Sequence, residues 1–211
     1  MNKHHYLEVC SGCGGLSYGL ELSGLNPCAL YEIDKYCIKT LKNNFKCDNI
    51  FECDIKKVDF TKYKNKINLV VGGIPCQSFS IAGKRKGLDD DTKGGLFYDF
   101  LRILDEIEPD MFMIENVEGL QNINGGETFK KIIKDLENKN YDVYHKVLDS
   151  RYYNVPQKRR RLIIVGTTLN VTFKFPTEFD KILTMKDALL NVPKSDGIKY
   201  SEKKEKIMKL V

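Results

Sequence analysis

Residues 8–21, EVCSGCGGLSYGLE, hold the pattern that decides the fold. The end of an apolar strand pattern runs into a turn with glycines at 12, 14 and 15, and helical spacing follows. Glycines at such a turn allow positive φ and close approach of a ligand to the backbone. The spacing is G-x-G-G, so the dinucleotide fingerprint G-x-G-x-x-G is not met. The stretch therefore predicts a strand–turn–helix unit that opens an α/β fold.

Strand and helix patterns alternate along the rest of the chain, which predicts an α/β protein with a doubly wound, mostly parallel sheet. In such sheets ligands bind outside the carboxyl ends of the strands. Strands are predicted at 6–10, 28–33, 49–54, 67–73, 110–116, 141–149 and 161–167, and helices at 16–24, 34–45, 95–107 and 126–139. A short helical pattern from about Thr184 and a lysine-rich helix or frayed end at 201–211 complete the prediction.

Length and composition favour one sizeable globular domain with a small appendage, since the chain has 211 residues of which 42% are hydrophobic and 30% charged. A net charge of +5 is compatible with a polyanionic partner and is weak support for one. Seven cysteines, an odd number, argue against a disulfide framework and for a reducing, cytosolic setting. The pair Cys10 and Cys13 forms C-x-x-C, but zinc is disfavoured, and we expect no metal, no leader and no membrane span.

Carboxylates end the second and third predicted strands. Glu32 lies 17 residues after Gly15, where a carboxylate can accept hydrogen bonds from the two ribose hydroxyls of a nucleoside. Asp54 ends the third strand and is placed to accept from an adenine amino group. The alternative is a plain turn with two surface carboxylates, which are common.

The later strand ends carry a different set of chemical groups. Pro75 and Cys76 follow the fourth strand, and Gly72 and Gly73 before them permit a tight turn that presents the sulfur at the ligand-bearing edge. Glu115 ends the fifth strand, where a carboxylate is costly to bury without a role. A run of three arginines directly precedes the last strand, so at least one of them is expected to point into the site rather than to solvent.

In this order the motifs resemble the DNA cytosine-5 methyltransferases, which use S-adenosylmethionine. The resemblance covers about residues 5–167 and implies the Rossmann-like methyltransferase form of the predicted sheet. The chain departs from the family where Cys10 replaces the usual phenylalanine and Ile33 replaces a common large aromatic residue. The motifs are the glycine turn at 12–15, Glu32, Asp54, Pro75-Cys76-Gln77, DTKGGLF at 91–97, Glu115-Asn116-Val117 and QKRRR at 157–161.

The resemblance implies roles for the residues at the later strand ends. Cys76 would attack carbon 6 of cytosine as a thiolate, which makes carbon 5 nucleophilic. Glu115 would bind or protonate N3 and select cytosine over thymine, and Arg161 would contact the pyrimidine carbonyl oxygen. Arg159 would support the cysteine loop, and Asn116 would hold that loop through its amide.

The resemblance also implies that S-adenosylmethionine binds over the first half of the sheet and leaves as S-adenosylhomocysteine. Glu32 would bind the ribose, Ile33 would pack on adenine, and Asp54 with Ile55 would read the adenine edge. Backbone at the glycine turn would approach the methionine end, and Pro75 with a leucine would close the pocket. The implied cofactor residues are Cys10, Gly12, Gly15, Glu32, Ile33, Asp54, Ile55, Pro75 and Leu96.

Double-stranded DNA is the implied partner, and a base inside a duplex must be flipped out before it can react. The segment 78–95, SFSIAGKRKGLDDDTKGG, suits a lid over a flipped base, although by itself it would pass for an ordinary polar loop. The candidate nucleic-acid contacts are Gln77, Ser80, Lys84, Arg85 and Lys86.

The resemblance stops before the target-recognition region and the carboxyl-terminal motifs. Residues 1–175 are predicted to be the catalytic and cofactor-binding domain, and 176–211 the truncated start of a hinge into a small domain. The chain is then a fragment, a subunit of a split enzyme with a second polypeptide, or a degenerate binding protein. The predicted function is DNA cytosine-5 methylation of the bacterial restriction-modification type. The alternatives are a tRNA cytosine-5 methyltransferase, a nicotinamide-dependent oxidoreductase and a non-catalytic interaction module.

Overall fold

A computed structural model of the protein describes residues 5–75 and 95–192. Seven strands in these ranges form one sheet, and each lies where the sequence predicted a strand. They are β1 (His5–Val9), β2 (Asn26–Glu32), β3 (Ile50–Glu52), β4 (Leu69–Gly72), β5 (Met111–Val117), β6 (Asp142–Asp149) and β7 (Arg160–Thr167).

The strand order is β3-β2-β1-β4-β5-β7-β6. The five strands from β3 to β5 are parallel neighbours, whereas β7 runs antiparallel to both β5 and β6. The predicted α/β fold with a mostly parallel sheet is therefore confirmed. Since the order reverses between β1 and β4, the ends of these two strands form the crevice where such sheets bind ligands.

Five α-helices connect or follow the strands in the described ranges. Asp34 caps the second helix by accepting hydrogen bonds from the amides of Tyr36 and Cys37, which explains why that helix starts there. Within these ranges no helix has both the length and the apolar character needed to cross a bilayer. The helices are α1 (Gly15–Leu22), α2 (Lys35–Asn44), α3 (Gly95–Ile107), α4 (Glu127–Glu137) and α5 (Met185–Leu189).

Alternate side chains of the parallel strands belong to two different apolar clusters. Leu7 and Val9 of β1 belong to the larger cluster with the buried side of α3, and Tyr6 belongs to the smaller cluster with Leu41 of α2. Since successive side chains of a strand point to opposite faces, the two clusters cover the two faces of the sheet. This two-sided burial holds the strand ends, and the polar residues on them, in fixed positions.

The chain divides into two compact units. The first holds the whole sheet and comprises 1–149 and 159–177. The second comprises 150–158 and 178–211, and in its described part Phe179 N donates to Tyr152 O at 2.9 Å. Thr184 and Asp187 form a capping box at the start of α5 in this unit. The predicted division into a catalytic domain and the start of a small domain stays a prediction.

Candidate active site

The glycine turn after β1 is bound to the end of β2 through one carboxylate. Glu32 Oε2 accepts from Gly12 N at 2.7 Å, and its Oε1 accepts from Ile33 N at 2.8 Å and Asp34 N at 2.9 Å. Three backbone amides therefore orient a carboxylate whose residue is 9% exposed. A carboxylate has about four lone-pair sites, so acceptor capacity is left for a ligand hydroxyl.

Gly14 shows why the turn needs glycine. Its φ is +86°, and a Cβ at this position would lie 2.3 Å from Cε2 of Phe45. Any other residue would be strained in both backbone and packing. Gly14 N also donates to Ser11 O at 2.9 Å, and α1 begins at Gly15. The turn is thus held next to Glu32 by backbone hydrogen bonds from Gly12 and Gly14.

A buried acid below the turn is a feature that the sequence interpretation missed. Glu8 in β1 is 1% exposed, and the Ser17 hydroxyl of α1 donates a hydrogen bond to its Oε2. Burial, opposed by the Ser17 hydrogen bond and reinforced by the negative charge of Glu32, raises the pKa of Glu8 to about 7. A single acid inside the apolar strand pattern YLEVC was the available signal.

The other predicted cofactor residues of this half lie at or near the same edge. Ile33 follows Glu32 and is 66% exposed, so its side chain is accessible to a ligand. Asp54 accepts from Lys56 N at 3.1 Å and caps a short 3-10 turn. Ile55 is only 4% exposed and its side chain belongs to the larger apolar cluster, so contact with adenine would have to come from its backbone.

The three remaining residues that were predicted to bind the cofactor lie in different environments. Cys10 has a φ of +54° and packs against the larger cluster, and burial raises the pKa of its thiol to about 12. Leu96, near the start of α3, also packs against this cluster. Pro75 is exposed beyond β4. Cys10 can therefore offer its backbone at the turn, but its side chain serves packing.

Glu115 and two arginines meet where β5 ends and β7 begins. Arg161 Nε lies 2.9 Å from Glu115 Oε1, and Arg159 Nη2 lies 3.5 Å from the same oxygen. The antiparallel register explains this, since Val117 is paired with Arg161 and Glu115 with Ile163. Of the arginine run, Arg161 lies nearest to this carboxylate, and its contact with a pyrimidine stays a prediction.

Arg160 and Arg159 make contacts that the sequence interpretation did not anticipate. Arg160 Nη2 pairs with Glu118 Oε1 at 2.8 Å. The described contact of Arg159 is with Glu115, and its predicted support of the cysteine loop stays a prediction. Arg161 Nη1 donates to Arg160 O at 2.8 Å. A guanidinium has five N–H donors, so Arg161 retains capacity for a further acceptor such as a pyrimidine carbonyl.

Asn116 ties the end of β4 to β5. Its residue is 4% exposed, its Nδ2 donates to Ile74 O at 2.9 Å, and its Oδ1 accepts from Val117 N at 2.8 Å. Ile74 directly precedes Pro75, so this amide holds the chain just before the predicted nucleophile. The predicted nucleophile and nucleic-acid contacts, Cys76, Gln77, Ser80, Lys84, Arg85 and Lys86, lie outside the described residues.

Two sulfur atoms lie close together at the glycine turn. Cys13 Sγ is 3.6 Å from Cys37 Sγ in the first turn of α2, so the contact of Cys13 is not with its C-x-x-C neighbour. Both are free thiols. Among the described residues, no three His, Cys, Asp or Glu side chains cluster as a metal site would need.

Comparison with known proteins identifies the family. A model of the C-5 cytosine-specific DNA methylases matches residues 5–210. The chain belongs to this family. The Type II methyltransferase M.Eco47II of Escherichia coli is 42% identical over 225 residues, which cover 100% of this chain and 53% of that protein. M.Sau96I of Staphylococcus aureus, also a Type II methyltransferase, is 38% identical over 217 residues, which cover 99% and 50%.

The fold agrees with that of this C-5 methylase family. The crystal structure of a DNA modification methyltransferase encoded within an E. coli prophage superposes with a TM-score of 0.74 at 27% identity. The match covers 90% of this chain and 55% of that one. The chain thus spans about half the length of the curated relatives it matches. The family is S-adenosylmethionine-dependent.

Proposed function

We propose that this methylase chain supplies the cofactor site and the chemical groups for transfer of a methyl group to carbon 5 of cytosine in DNA. The restriction-modification type is proposed because the curated relatives M.Eco47II and M.Sau96I are Type II methyltransferases. The observation that carries the proposal is the Glu115–Arg161 ion pair beside the Asn116 contact to Ile74, one residue before Pro75-Cys76. The acid, the cation and the described chain end that leads to Cys76 therefore lie at one edge of the sheet.

Glu115 and Arg161 fit the task of binding a cytosine ring. During attack at carbon 6, charge develops on the pyrimidine towards N3 and the carbonyl oxygen. A carboxyl at N3 and a guanidinium at the carbonyl oxygen would stabilise that charge. The 2.9 Å contact between Arg161 Nε and Glu115 Oε1 orients the carboxylate before a base arrives. Preorganisation of this kind avoids reorientation during the reaction.

Cys76 is proposed as the nucleophile, held in place through the chain that precedes it. Asn116 fixes Ile74 O at 2.9 Å, and Pro75 has a fixed φ and restricts the backbone of Ile74 before it. The thiolate forms a bond to carbon 6, carbon 5 takes the methyl group, the proton on carbon 5 leaves to a base, and the thiolate is expelled. No side chain is assigned to that last base; a water molecule is proposed.

The glycine turn fits S-adenosylmethionine, which when bound supplies an electrophilic methyl group on a sulfonium. Glu32 would accept from the ribose hydroxyls, since three amides orient its carboxylate towards the turn. The exposed side chain of Ile33 would cover adenine, and Asp54 with the backbone of Ile55 would bind its polar edge. Backbone at Cys10, Gly12 and Gly15, with Pro75 and Leu96, would complete the pocket.

A cofactor-binding experiment tests this half of the site. Isothermal titration of residues 1–211 with S-adenosylhomocysteine and with NAD should show binding of the first and none of the second. Glu32→Ala should weaken binding by at least roughly tenfold, the cost of a lost charge-assisted hydrogen bond. Glu52→Ala, at an exposed position in β3, is the matched control and should bind as the parent does. Equal affinity of both variants would contradict the assignment.

A covalent trap tests the chemical half. A duplex containing 5-fluorocytosine stops the reaction at the adduct, because fluorine cannot leave as the C5 proton does. The assay contains cofactor and a second polypeptide that supplies the recognition region. The parent should then form a covalent adduct between Cys76 and the DNA, and the Cys76→Ser variant should form none. Glu115→Gln and Arg161→Ala should slow trapping. Failure of Cys76 to form an adduct, or preference for tRNA over DNA, would refute the proposal.

The recognition surface is proposed to come from outside these 211 residues. Residues 1–211 alone are expected to methylate no specific sequence, and robust site-specific methylation by them would disprove this. The partners are then double-stranded DNA and either the rest of a longer protein or a second polypeptide. The proposed location is the prokaryotic cytosol, in keeping with the bacterial sources of M.Eco47II and M.Sau96I.

A further inference from the structure

Cys13 Sγ and Cys37 Sγ, 3.6 Å apart, lie on two elements whose backbones are held by hydrogen bonds. Cys13 lies in the glycine turn, which is held by the Gly12 N–Glu32 Oε2 bond at 2.7 Å and by Gly14 N to Ser11 O at 2.9 Å. The Cys37 amide donates to the capping Asp34 at 2.9 Å. The 3.6 Å between the sulfurs therefore reflects fixed backbones, and a disulfide bond needs about 2.05 Å.

The environment of this pair differs from that of the other described cysteines. Cys13 is exposed and Cys37 half-buried, so small solutes reach the sulfurs. The remaining ones are packed against apolar clusters: Cys10, Cys28 and Cys53 against the larger, Cys47 against the smaller. Oxidation of thiols follows exposure and proximity to a second thiol. The geometry thus separates one reactive pair from the four packed cysteines.

We propose that Cys13 and Cys37 are a reversible modification site, which hydroperoxides or small disulfides such as oxidised glutathione convert to an intramolecular disulfide. With hydrogen peroxide, the exposed Cys13 thiolate attacks one oxygen, forming a sulfenic acid and releasing hydroxide, which takes up a proton to give water. The Cys37 thiolate then attacks that sulfur, the S–S bond forms and a second water leaves. Two thiols are oxidised by two electrons and one peroxide is reduced to two waters.

The bridge would tie the glycine turn to the first turn of α2 across 24 positions of sequence. Closing a loop of that size restricts the unfolded chain, so the oxidised protein should melt higher by roughly 5–10 °C. Burial and the neighbouring Cys13 sulfur raise the pKa of Cys37 to about 11. Since the thiolate is the reactive form, the rate of bridge formation should rise with pH through the alkaline range.

The test uses residues 1–211 with Cys76→Ser, so that the proposed nucleophile does not interfere. After treatment with equimolar hydrogen peroxide or excess oxidised glutathione, the intact mass should fall by two hydrogens. Peptide mapping should join the peptides of Cys13 and Cys37, and dithiothreitol should reverse it. Cys13→Ser and Cys37→Ser should each abolish the bridge and the rise in melting temperature, while Cys28→Ser, the matched control, should keep both.

Other results would overturn the proposal. A bridge between Cys10 and Cys13, a linkage between chains, or stable glutathione adducts on Cys13 without the bridge would each show that the pair does not close. An intramolecular disulfide of Cys13 that forms equally well in Cys37→Ser would show that Cys13 pairs with a different cysteine. All readouts are covalent or thermal, so the result does not depend on whether the protein transfers a methyl group.

Discussion

Glu8 beneath the glycine turn gives a sharp prediction on pH dependence. The folded protein holds its pKa at about 7, against a usual value of 4.5, because burial penalises the carboxylate. Between these two pH values the unfolded chain has released the proton and the folded chain still binds it. The free energy of unfolding therefore falls as pH rises through this window, and this loss is complete above about pH 7.

The size of the effect follows from the shift. A difference of about 2.5 pKa units corresponds to about 3 kcal/mol at 1.36 kcal/mol per unit. Glu8→Gln cannot ionise and keeps an oxygen that accepts from the Ser17 hydroxyl. The variant should therefore gain stability relative to the parent by about 3 kcal/mol as pH rises from about 4 to about 8, which is roughly 6–12 °C in melting temperature.

Urea unfolding at a series of pH values measures this difference directly. Glu52→Gln changes an exposed acid of β3 and serves as the control, and its difference from the parent should stay constant with pH. A Glu8→Gln difference that is flat within about 0.5 kcal/mol across the range would refute the reasoning. A slope of opposite sign would mean that Glu8 is stabilised as a carboxylate.

Three further predictions concern packing and buried hydrogen bonds. Gly166→Ala would place a Cβ 2.0 Å from the Phe112 ring and should cost about 3 kcal/mol in urea unfolding, whereas Gly19→Ala, whose Cβ meets nothing, should be neutral or stabilising. Asn116→Leu should cost about 2–3 kcal/mol, because the buried carbonyl of Ile74 and the part-buried amide of Val117 lose their partner, and an unchanged midpoint would contradict this. Arg102→Ala removes bonds to two carbonyls after β3 and should lower the melting temperature by a few degrees, more than Arg102→Lys.

Local patterns in the sequence were enough to predict the helices and strands that bury one continuous face. The apolar positions of 95–107 recur at helical spacing, and α3 covers that range. The strand pattern at 49–54 shortens to Ile50–Glu52, because β3 is the edge strand and pairs on one side only. Strand periodicity carries no direction, so the antiparallel course of β7 could not be read from RLIIVGT.

The candidate site was predictable where it rests on strand ends and not where it rests on contacts distant in sequence. Glu32 and Glu115 were selected because parallel strands end at one edge. The Glu8–Ser17 bond depends on how α1 packs on β1, and the Cys13–Cys37 contact depends on where α2 starts. The C-x-x-C spacing of Cys10 and Cys13 gave no sign of this contact, and the Cys10 side chain packs against the larger apolar cluster.

The reversed strand β7 also makes the hairpin it forms with β6 a suitable place for loop grafting. Arg161 is paired with Leu148 of β6 on one side and with Val117 of β5 on the other. Two neighbouring strands therefore fix the position of the Arg161 backbone, from which the guanidinium extends. The two ladders hold this register, and Arg159, which contacts Glu115, lies just after the connection at 150–158. A peptide of different length inserted there should leave the charged pair undisturbed, so this chain can acquire a new surface loop without rebuilding its chemistry.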